Sequence, residues 1–548
     1  MKMKNWKKTL AAVMSLVMTA GCLSSCGTKQ TSGSGEEVTL TFLNCWQGSE
    51  LPSGVDSEHN PVADVIAEKT GVRIKYLACT TSEIERLNLA FATNDIPDII
   101  NAPFQGAHNS HTIAIKKAAS EGLLTPLNDL IEEYGPNLKD AWSTLDKDFL
   151  ENDFEPENFE GEHYFFPTGV AATEADVSNN AYNVYARKDI LEALGVAPES
   201  VNSSEKLYEL MKKIKAGNFK DINGQDVIVS GTWHGGWTYE PFYNSYVSQR
   251  DMFSSFKHEN GEIKLYQNTE RYKDQILFMR KIISEGLFDL ECQKQTSAIA
   301  VEKMATGKVA IVGGHYTKLK QELTGTLYAT NPEMEYLPLG PIMNLDGEPY
   351  SQGQVRRKGA FGGVVMIGGN TKYPEKAMQF INFMNSEEGM LLNRYGIEGV
   401  HYTMVDGKPR LTPEWQEKYE KDPNSLKKEG IGLYGVIRLN NYISAYGEST
   451  YGVDPNEDKA YIRAKEASPL LLVDDVYSLN YVAMKYEKYD DILTLMQTGD
   501  GGLMQRAMYA ATEEEALDLI EQSRDVYERG GIKEFEAWMT EHQNDGQE

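Results

Sequence analysis

Apolar positions between residues 38 and 100 switch between two periods, and the switching sets out a strand–helix–strand–helix–strand order. Val38-Thr39-Leu40-Thr41-Phe42-Leu43 reads as a strand. Pro61 to Thr70 reads as a helix with Val62, Val65 and Ile66 on one face. Val72 to Leu77 is a second strand. Ser82 to Thr93 is helical, with Ser82 as N-cap and Glu85 three residues later, as in a capping box. Ile96 to Ile100 returns to a strand. Such an order implies an α/β fold with a parallel sheet covered by helices. Ligands of such sheets bind beyond the carboxyl ends of the strands. That rule selects Trp46-Gln47, Thr80-Thr81 and the run from Asn101 through Phe104 to Gln105. Farther on, Val227 to Val229 reads as a strand leading into the aromatic, glycine-bearing loop Trp233-His234-Gly235-Gly236-Trp237-Thr238-Tyr239. Ala310 to Gly314 leads in the same way to His315-Tyr316.

The first 40 residues follow a different logic. Lys2, Lys4, Lys7 and Lys8 precede an apolar run from Leu10 to Val17 and then small residues, the order of a secretory signal. The run is short of the roughly 20 apolar residues that span a bilayer. Leu23-Ser24-Ser25-Cys26-Gly27 has the form of a lipobox and nominates Cys26 as the lipid anchor, with Cys22 a weaker competitor. Diacylation supplies the two chains that stable anchoring needs. Residues 1–25 are therefore read as a lipoprotein signal peptide. Residues 26–37, rich in Ser, Gly and Thr, are read as a flexible tether.

Composition narrows the function. The chain carries 81 acidic against 54 basic residues, a net charge of −27 that grows by four once the leader lysines are gone. Phosphate neutralisation, and with it nucleic-acid binding, has little support. The body is too long for one core and implies two or three domains. Thirty Tyr and seven Trp suit a cleft for sugars, whose apolar ring faces pack on aromatic faces. Beyond the leader only Cys45, Cys79 and Cys292 remain. Cys45 ends one predicted strand and Cys79 the next, so a disulfide is one reading if those strands are neighbours. Buried free thiols are the preferred one. No CxxC, HExxH, G-x-S-x-G or P-loop occurs, so no catalytic motif nominates an enzyme. A glycoside hydrolase would need a carboxylate pair, and no local motif marks one.

Several ordered segments carry a resemblance. Phe91-Ala92-Thr93-Asn94-Asp95-Ile96-Pro97-Asp98-Ile99-Ile100, Glu121 to Leu127, Tyr185-Ala186-Arg187-Lys188-Asp189-Ile190-Leu191, Thr306-Gly307-Lys308-Val309-Ala310, Pro374 to Ile381, and Tyr395-Gly396-Ile397-Glu398-Gly399-Val400-His401-Tyr402 resemble, in order, the signatures of family 1 extracellular solute-binding proteins, in the larger lipoprotein branch. The matches run from about residue 38 to 405.

The resemblance implies a two-lobe periplasmic-binding-protein-like fold of type II, with hinge strands and an interlobe cleft. Lobe 1 would comprise 38–175 plus 362–445, and lobe 2 would comprise 176–361 plus 446–548. It further implies a monomeric substrate-binding component that hands an oligosaccharide to ABC permease subunits, with no catalytic residue and no cofactor. A peptide ligand, or presentation to a sensor kinase, stays open as an alternative. The ligand-binding residues it suggests are Trp46, Asn101, Phe104, Gln105, Trp233, Trp237, Tyr239, Tyr316 and Tyr402. Arg187 fits a structural ion pair better. Relatives of this branch carry a calcium loop where this chain has Asp221-Ile222-Asn223-Gly224-Gln225-Asp226, which keeps only part of the ligand set and reads better as an Asn-Gly turn.

Overall fold

The computed structural model describes residues 37–104, 110–145, 161–170, 181–233, 242–247, 255–349, 355–356, 362–440, 459–468, 472–473, 479, 482–483 and 485–544. Cys26, Gln105, Trp237 and Tyr239 lie outside the described residues.

In chain order the strands used below are β1 (Val38–Gln47), β2 (Val72–Cys79), β3 (Ile99–Pro103), β4 (Phe165–Thr168), β5 (Tyr182–Arg187), β6 (Ile228–Gly231), β7 (Phe256–Glu259), β8 (Glu262–Leu265), β9 (Val309–His315), β10 (Tyr336–Pro338), β11 (Val355–Arg356) and β12 (Gly363–Ile367). One sheet has the order β2-β1-β3-β12-β4, and a second has the order β10-β5-β9-β6. β1 is parallel to both β2 and β3, whereas β12 runs antiparallel between β3 and β4. In the second sheet β6 and β9 are parallel, and β5 opposes β9.

Local chemistry explains the first elements. Helix α1 (Pro61–Thr70) starts where the Asn60 carboxamide accepts from the Ala63 N–H at 2.8 Å, and it stops at Gly71 with φ 70°. Helix α2 (Glu83–Thr93) is capped by Ser82, which accepts from the Glu85 N–H. Two strands depart from the sequence reading. β1 runs on to Gln47, so Trp46 lies inside the strand rather than after it. β3 starts at Ile99 rather than Ile96, because Pro97 has no N–H for a ladder. There the Asp98 carboxylate takes over, accepting from the Thr41 N–H at 2.8 Å and its hydroxyl at 2.7 Å. Asn101 is consequently a mid-strand residue.

Each sheet has its own core. Leu40, Phe42, Ile74, Ile99, Ile100, Phe166, Val364–Ile367, Phe380 and Tyr434 pack around the first. Val184, Ile190, Met211, Met279, Cys292 and Ile311 pack on one side of the second, and Tyr185, Trp233, Tyr316, Tyr336 and Tyr461 pack elsewhere on it. A further helical layer, including Glu513–Arg529 and Ile532–His542, docks on the β7–β8 hairpin. There Glu536 accepts from the Leu265 N–H and Thr540 accepts from the Ile263 N–H, both at 2.9 Å. No helix among the described residues is long and apolar enough to cross a membrane.

The chain passes between the two sheets at places held in register on both sides. Gly169 and Val170, just past β4, donate to the Arg438 and Leu439 carbonyls at 3.0 and 2.7 Å. On the far side the Asn183 amide donates to Ala467 O at 3.1 Å. Two crossings therefore leave the first sheet together and enter the second together.

Candidate functional site

In the first sheet the carboxyl ends of β1, β3 and β4 lie along one edge, joined there by the start of β12, since Gly363 pairs with both Pro103 and Thr168. Trp46 sits on this edge and is half-buried. Its indole N–H donates to Asn101 Oδ1 at 2.6 Å. Asn101, fully buried, spends its amide N–H groups on the Val364 and Val436 carbonyls, each at 3.1 Å. Asn101 thus has no polar group left for a ligand. It pins the indole to β12 and to the segment at 436, a positioning role rather than the direct contact its sequence position suggested.

The indole lies against Gly362 and Gly363. A methyl group at Gly363 would stand 3.0 Å from Trp46 Cζ2 and 2.7 Å from the Ala102 carbonyl oxygen. Only glycine lets the strand and the ring approach this closely. Gly363→Ala should cost about 1–3 kcal/mol of stability and change Trp fluorescence. A denaturation midpoint equal to that of the parent would refute this packing.

Phe104, expected to face ligand, is 3% exposed and packs on Phe165 at 5.1 Å between ring centroids. It is a core residue under the edge.

The matching edge of the second sheet is built from the ends of β6 and β9 and the start of β5, where Tyr182 pairs with His315. Trp233 follows β6 and is fully buried. Its Nε1 would lie 2.9 Å from a methyl group at Gly314, and the Lys318 ammonium sits 5.6 Å from its ring centroid. Tyr316 opens the helix Tyr316–Leu323 and stacks on Tyr461, with ring centroids 5.4 Å apart and planes at 26°. Both were expected as open platforms, and both are packed instead. The neighbour that covers Tyr316 comes from the segment after residue 405, where the sequence offered little to read. Tyr402 is 4% exposed and packs on Tyr395 at 5.8 Å, in the hairpin Tyr402–Leu411 outside both strand edges.

His315 closes this edge against Tyr182, ring to ring at 4.5 Å. Burial, aided by the Lys318 charge, pushes its pKa down to about 4. The unfolded chain, with a histidine near 6.5, then binds the extra proton between those values. The stability His315 contributes is complete above pH 6.5 and is lost as pH falls toward 4. Comparing the parent with His315→Gln should show about 2–3 kcal/mol less acid destabilisation between pH 7 and 4.5 in the variant. Parallel pH curves would contradict the assignment.

The two sheets' structures also meet away from the crossings. A methyl group at Gly325 would stand 3.0 Å from Pro423 Cδ, and the Lys427 ammonium, its pKa lowered by burial, faces Glu322 and Lys318. A concavity of about 640 Å³ lined by Pro198, Glu199, Pro338, Pro341, Arg463 and Glu466 lies on the second sheet's side and does not include the Trp46 edge.

The residues at the partial calcium loop do not fit the ion. The Asp221 carboxylate accepts from the Asn223 and Gln225 N–H groups at 2.9 and 2.8 Å, and Asp226 pairs with Lys220 at 2.5 Å. Gly224, at φ 76°, completes a hydrogen-bonded turn. Oxygens committed in this way leave a set far short of the six to eight that calcium takes.

Comparison with known proteins agrees with this architecture. Residues 52–391, more than half of the chain, match the family described as bacterial extracellular solute-binding protein. The lipoprotein LipO of Bacillus subtilis (strain 168) is 22% identical over 487 residues, covering 85% of each chain. The fructooligosaccharide ABC transporter substrate-binding protein FusA of Streptococcus pneumoniae is 25% identical over 369 residues, covering 62% of each. Among solved structures, the alginate-binding protein AlgQ2 without calcium ion superposes with a TM-score of 0.64 at 18% identity, over 94% of this chain and 99% of that one. FusA in complex with kestose gives 0.60 at 17%, over 93% and 99%. The fold is the α/β periplasmic-binding-protein-like fold of these two-domain proteins, and the family binds solutes rather than transforming them. This chain belongs to the bacterial extracellular solute-binding proteins.

Proposed function

We propose that this protein is the substrate-binding component of an ABC importer for an oligosaccharide, anchored by lipid at Cys26 on the outer face of the cell membrane. The observation that carries the reading is Trp46. Its ring is held on the carboxyl edge of the first sheet, against Gly362–Gly363, by a hydrogen bond to a fully committed Asn101. A pinned, half-buried indole at such an edge is a stacking platform for a pyranose or furanose face. The named substrates of relatives support the class, since FusA is a fructooligosaccharide-binding protein and YtcQ of Bacillus subtilis a polygalacturonan/rhamnogalacturonan-binding protein. Gln105, Trp237 and Tyr239 join Trp46 as direct contacts in this reading. Trp233, Tyr316 and Phe104 form packed support behind the two edges, and Tyr402 lies away from them.

The lobes are 38–175 with 362–445 and 176–361 with 446–548, and the monomer closes one on the other around the ligand. Closure excludes water and strengthens each polar contact. The closed form is then what the permease subunits engage.

The test uses the chain from residue 27 onward, with tryptophan fluorescence and thermal melting against neutral oligosaccharides, uronate oligomers, monosaccharides and peptides. A ligand at a hundredfold excess over its Kd adds about 2.7 kcal/mol, which appears as a melting shift. A saturable response to an oligosaccharide recovered intact is the expected result. A response to peptides alone would overturn the substrate class, and cleavage of a sugar would overturn the binding role.

A further inference from the structure

Cys45 and Cys79 are, among the described residues, two buried free thiols that the binding role leaves unused. From Val38↔Val72 to Asn44↔Ala78, β1 and β2 pair with a constant offset, so Cys45 and Cys79 each stand one residue past the last regular pair. Parallel neighbours in a sheet stand about 4.8 Å apart, and side chains at matched positions leave the sheet on the same face. A disulfide accepts Cα separations of roughly 4.4–6.8 Å, so closing one here asks only for an adjustment of the strand ends beyond the Asn44↔Ala78 pair.

The register breaks immediately afterwards, with Gln47 pairing to Cys79. That irregularity gives the strand end freedom to adjust. Both cysteines are fully buried and free. The Cys79 thiol donates to Thr81 O at 3.3 Å, and the Cys45 thiol, 3.4 Å from Glu83 O, shares its proton between that carbonyl and the Cys79 sulfur, so the two thiols converge beside the 81–83 segment. Cys292 belongs to the core of the second sheet, apart from this pair.

We propose that Cys45 and Cys79 form a closable dithiol, which an external small-molecule disulfide oxidises to an intrachain bond across the ends of β1 and β2, next to Trp46. The electron balance is that of thiol–disulfide exchange. The Cys79 thiolate attacks one sulfur of the external disulfide, forms a mixed disulfide and expels one thiolate, which takes up the proton Cys79 gave. Cys45 then loses its proton, attacks the Cys79 sulfur and releases the second thiol. Two protein thiols are oxidised and one external disulfide is reduced to two thiols.

The roles follow from the surroundings. The Cys45–Cys79 hydrogen bond lowers the Cys79 thiol and raises Cys45, and burial raises Cys45 further. Cys79 is therefore the attacking sulfur. An exported protein meets an oxidising environment in which such a bond persists. The link would tie together the strand ends from which Trp46 projects, so the platform would stiffen on oxidation.

The experiment uses residues 27–548, whose only cysteines are Cys45, Cys79 and Cys292, and whose body from Glu37 to Glu548 forms one compact unit. The protein is denatured, refolded with oxidised glutathione, quenched, denatured again and alkylated. The expected product carries one alkylated thiol on Cys292, has lost two hydrogens in intact mass, and yields on digestion a linked peptide containing Cys45 and Cys79. Dithiothreitol should restore three alkylation sites and lower the melting temperature. Three alkylated thiols after oxidation, or glutathione adducts on Cys45 or Cys79 with no internal link, would overturn the proposal. With Cys79→Ser, Cys45 should carry glutathione and no internal link should form. A link from Cys45 to Cys292 in that variant would show that proximity on β2 is not what directs the pairing.

Discussion

Replacing Arg187 with Met should destabilise the protein by about 3 kcal/mol, the lower end of the cost of removing one member of a buried ion pair, because the Asp189 side chain left behind is 30% exposed. Arg187 is 1% exposed. Its guanidinium forks onto Asp189, with Nε to Oδ1 at 3.0 Å and Nη2 to Oδ2 at 2.5 Å. Its Nη1 reaches the Lys220 and Gly307 carbonyls at 3.0 and 2.6 Å. One side chain thus joins β5, the turn before β6 and the turn before β9. Methionine fills much of the volume but leaves a carboxylate and two carbonyls without their donor. Lysine keeps the charge but loses the fork, so Arg187→Lys should recover only part of the loss. The denaturant midpoint measures both. The double variant Arg187→Met, Asp189→Leu should regain stability over the single change, because the stranded carboxylate is gone. A single variant within about 1 kcal/mol of the parent would show that the cluster contributes little.

The second large effect concerns ligand. Trp46→Ala should weaken carbohydrate binding by about 10- to 100-fold, or roughly 1.4–2.8 kcal/mol, the scale of a tryptophan anchor in an interface. Asn101→Ala should produce a smaller loss of affinity and a larger loss of stability. It frees the indole to move while leaving the Val364 and Val436 carbonyls without their partner. The two readouts separate a residue that touches ligand from one that positions it. Binding titrations at matched fraction folded decide the point. If Trp46→Ala binds as well as the parent, the edge of the first sheet is not the platform, and the Trp237 loop becomes the place to look.

Local signals in the chain carried a large share of the fold. The apolar periods, the Asn60 and Ser82 caps and the αL stops at Gly71 and Asn94 are properties of a few adjacent residues, so α1, α2 and the starts of the first two strands were legible directly, whereas the extension of β1 to Gln47 was not. The boundary of β3 was less so. Its start depends on a side-chain clamp from Asp98 to Thr41, 57 positions away, and no local pattern encodes that. The family signatures added the order of elements up to about residue 405. They could not show that Arg438 to Asn440 lines up with Val170, or that Tyr461 covers Tyr316.

Aromatic residues mark where sequence reasoning about the site stopped. A tryptophan at a strand end has the same local context whether its ring faces solvent or the interior. In the sequence Trp46 and Trp233 both stand at the ends of apolar runs, yet one stays half-exposed over two glycines and the other is buried against Gly314. Distant chain decides the difference. Gly363 arrives on an antiparallel strand and leaves room above the β1 edge, whereas Ala181, Tyr316 and Tyr461 close around Trp233. Asn101 shows the same limit in a polar residue, since its chemistry suits a sugar hydroxyl until two carbonyls from residues 364 and 436 claim it.

The sequence by itself determined the α/β class, the leader pattern that reads as an export signal with a candidate lipid anchor, the acidic character that disfavours polyanions, and the set of aromatic and amide side chains available to a ligand. These depend on composition and on neighbours within a few residues. Only the tertiary structure decided which of those side chains remain available. Hydrogen bonds and close packing are satisfied between positions hundreds of residues apart, and each partner so engaged is withdrawn from the ligand.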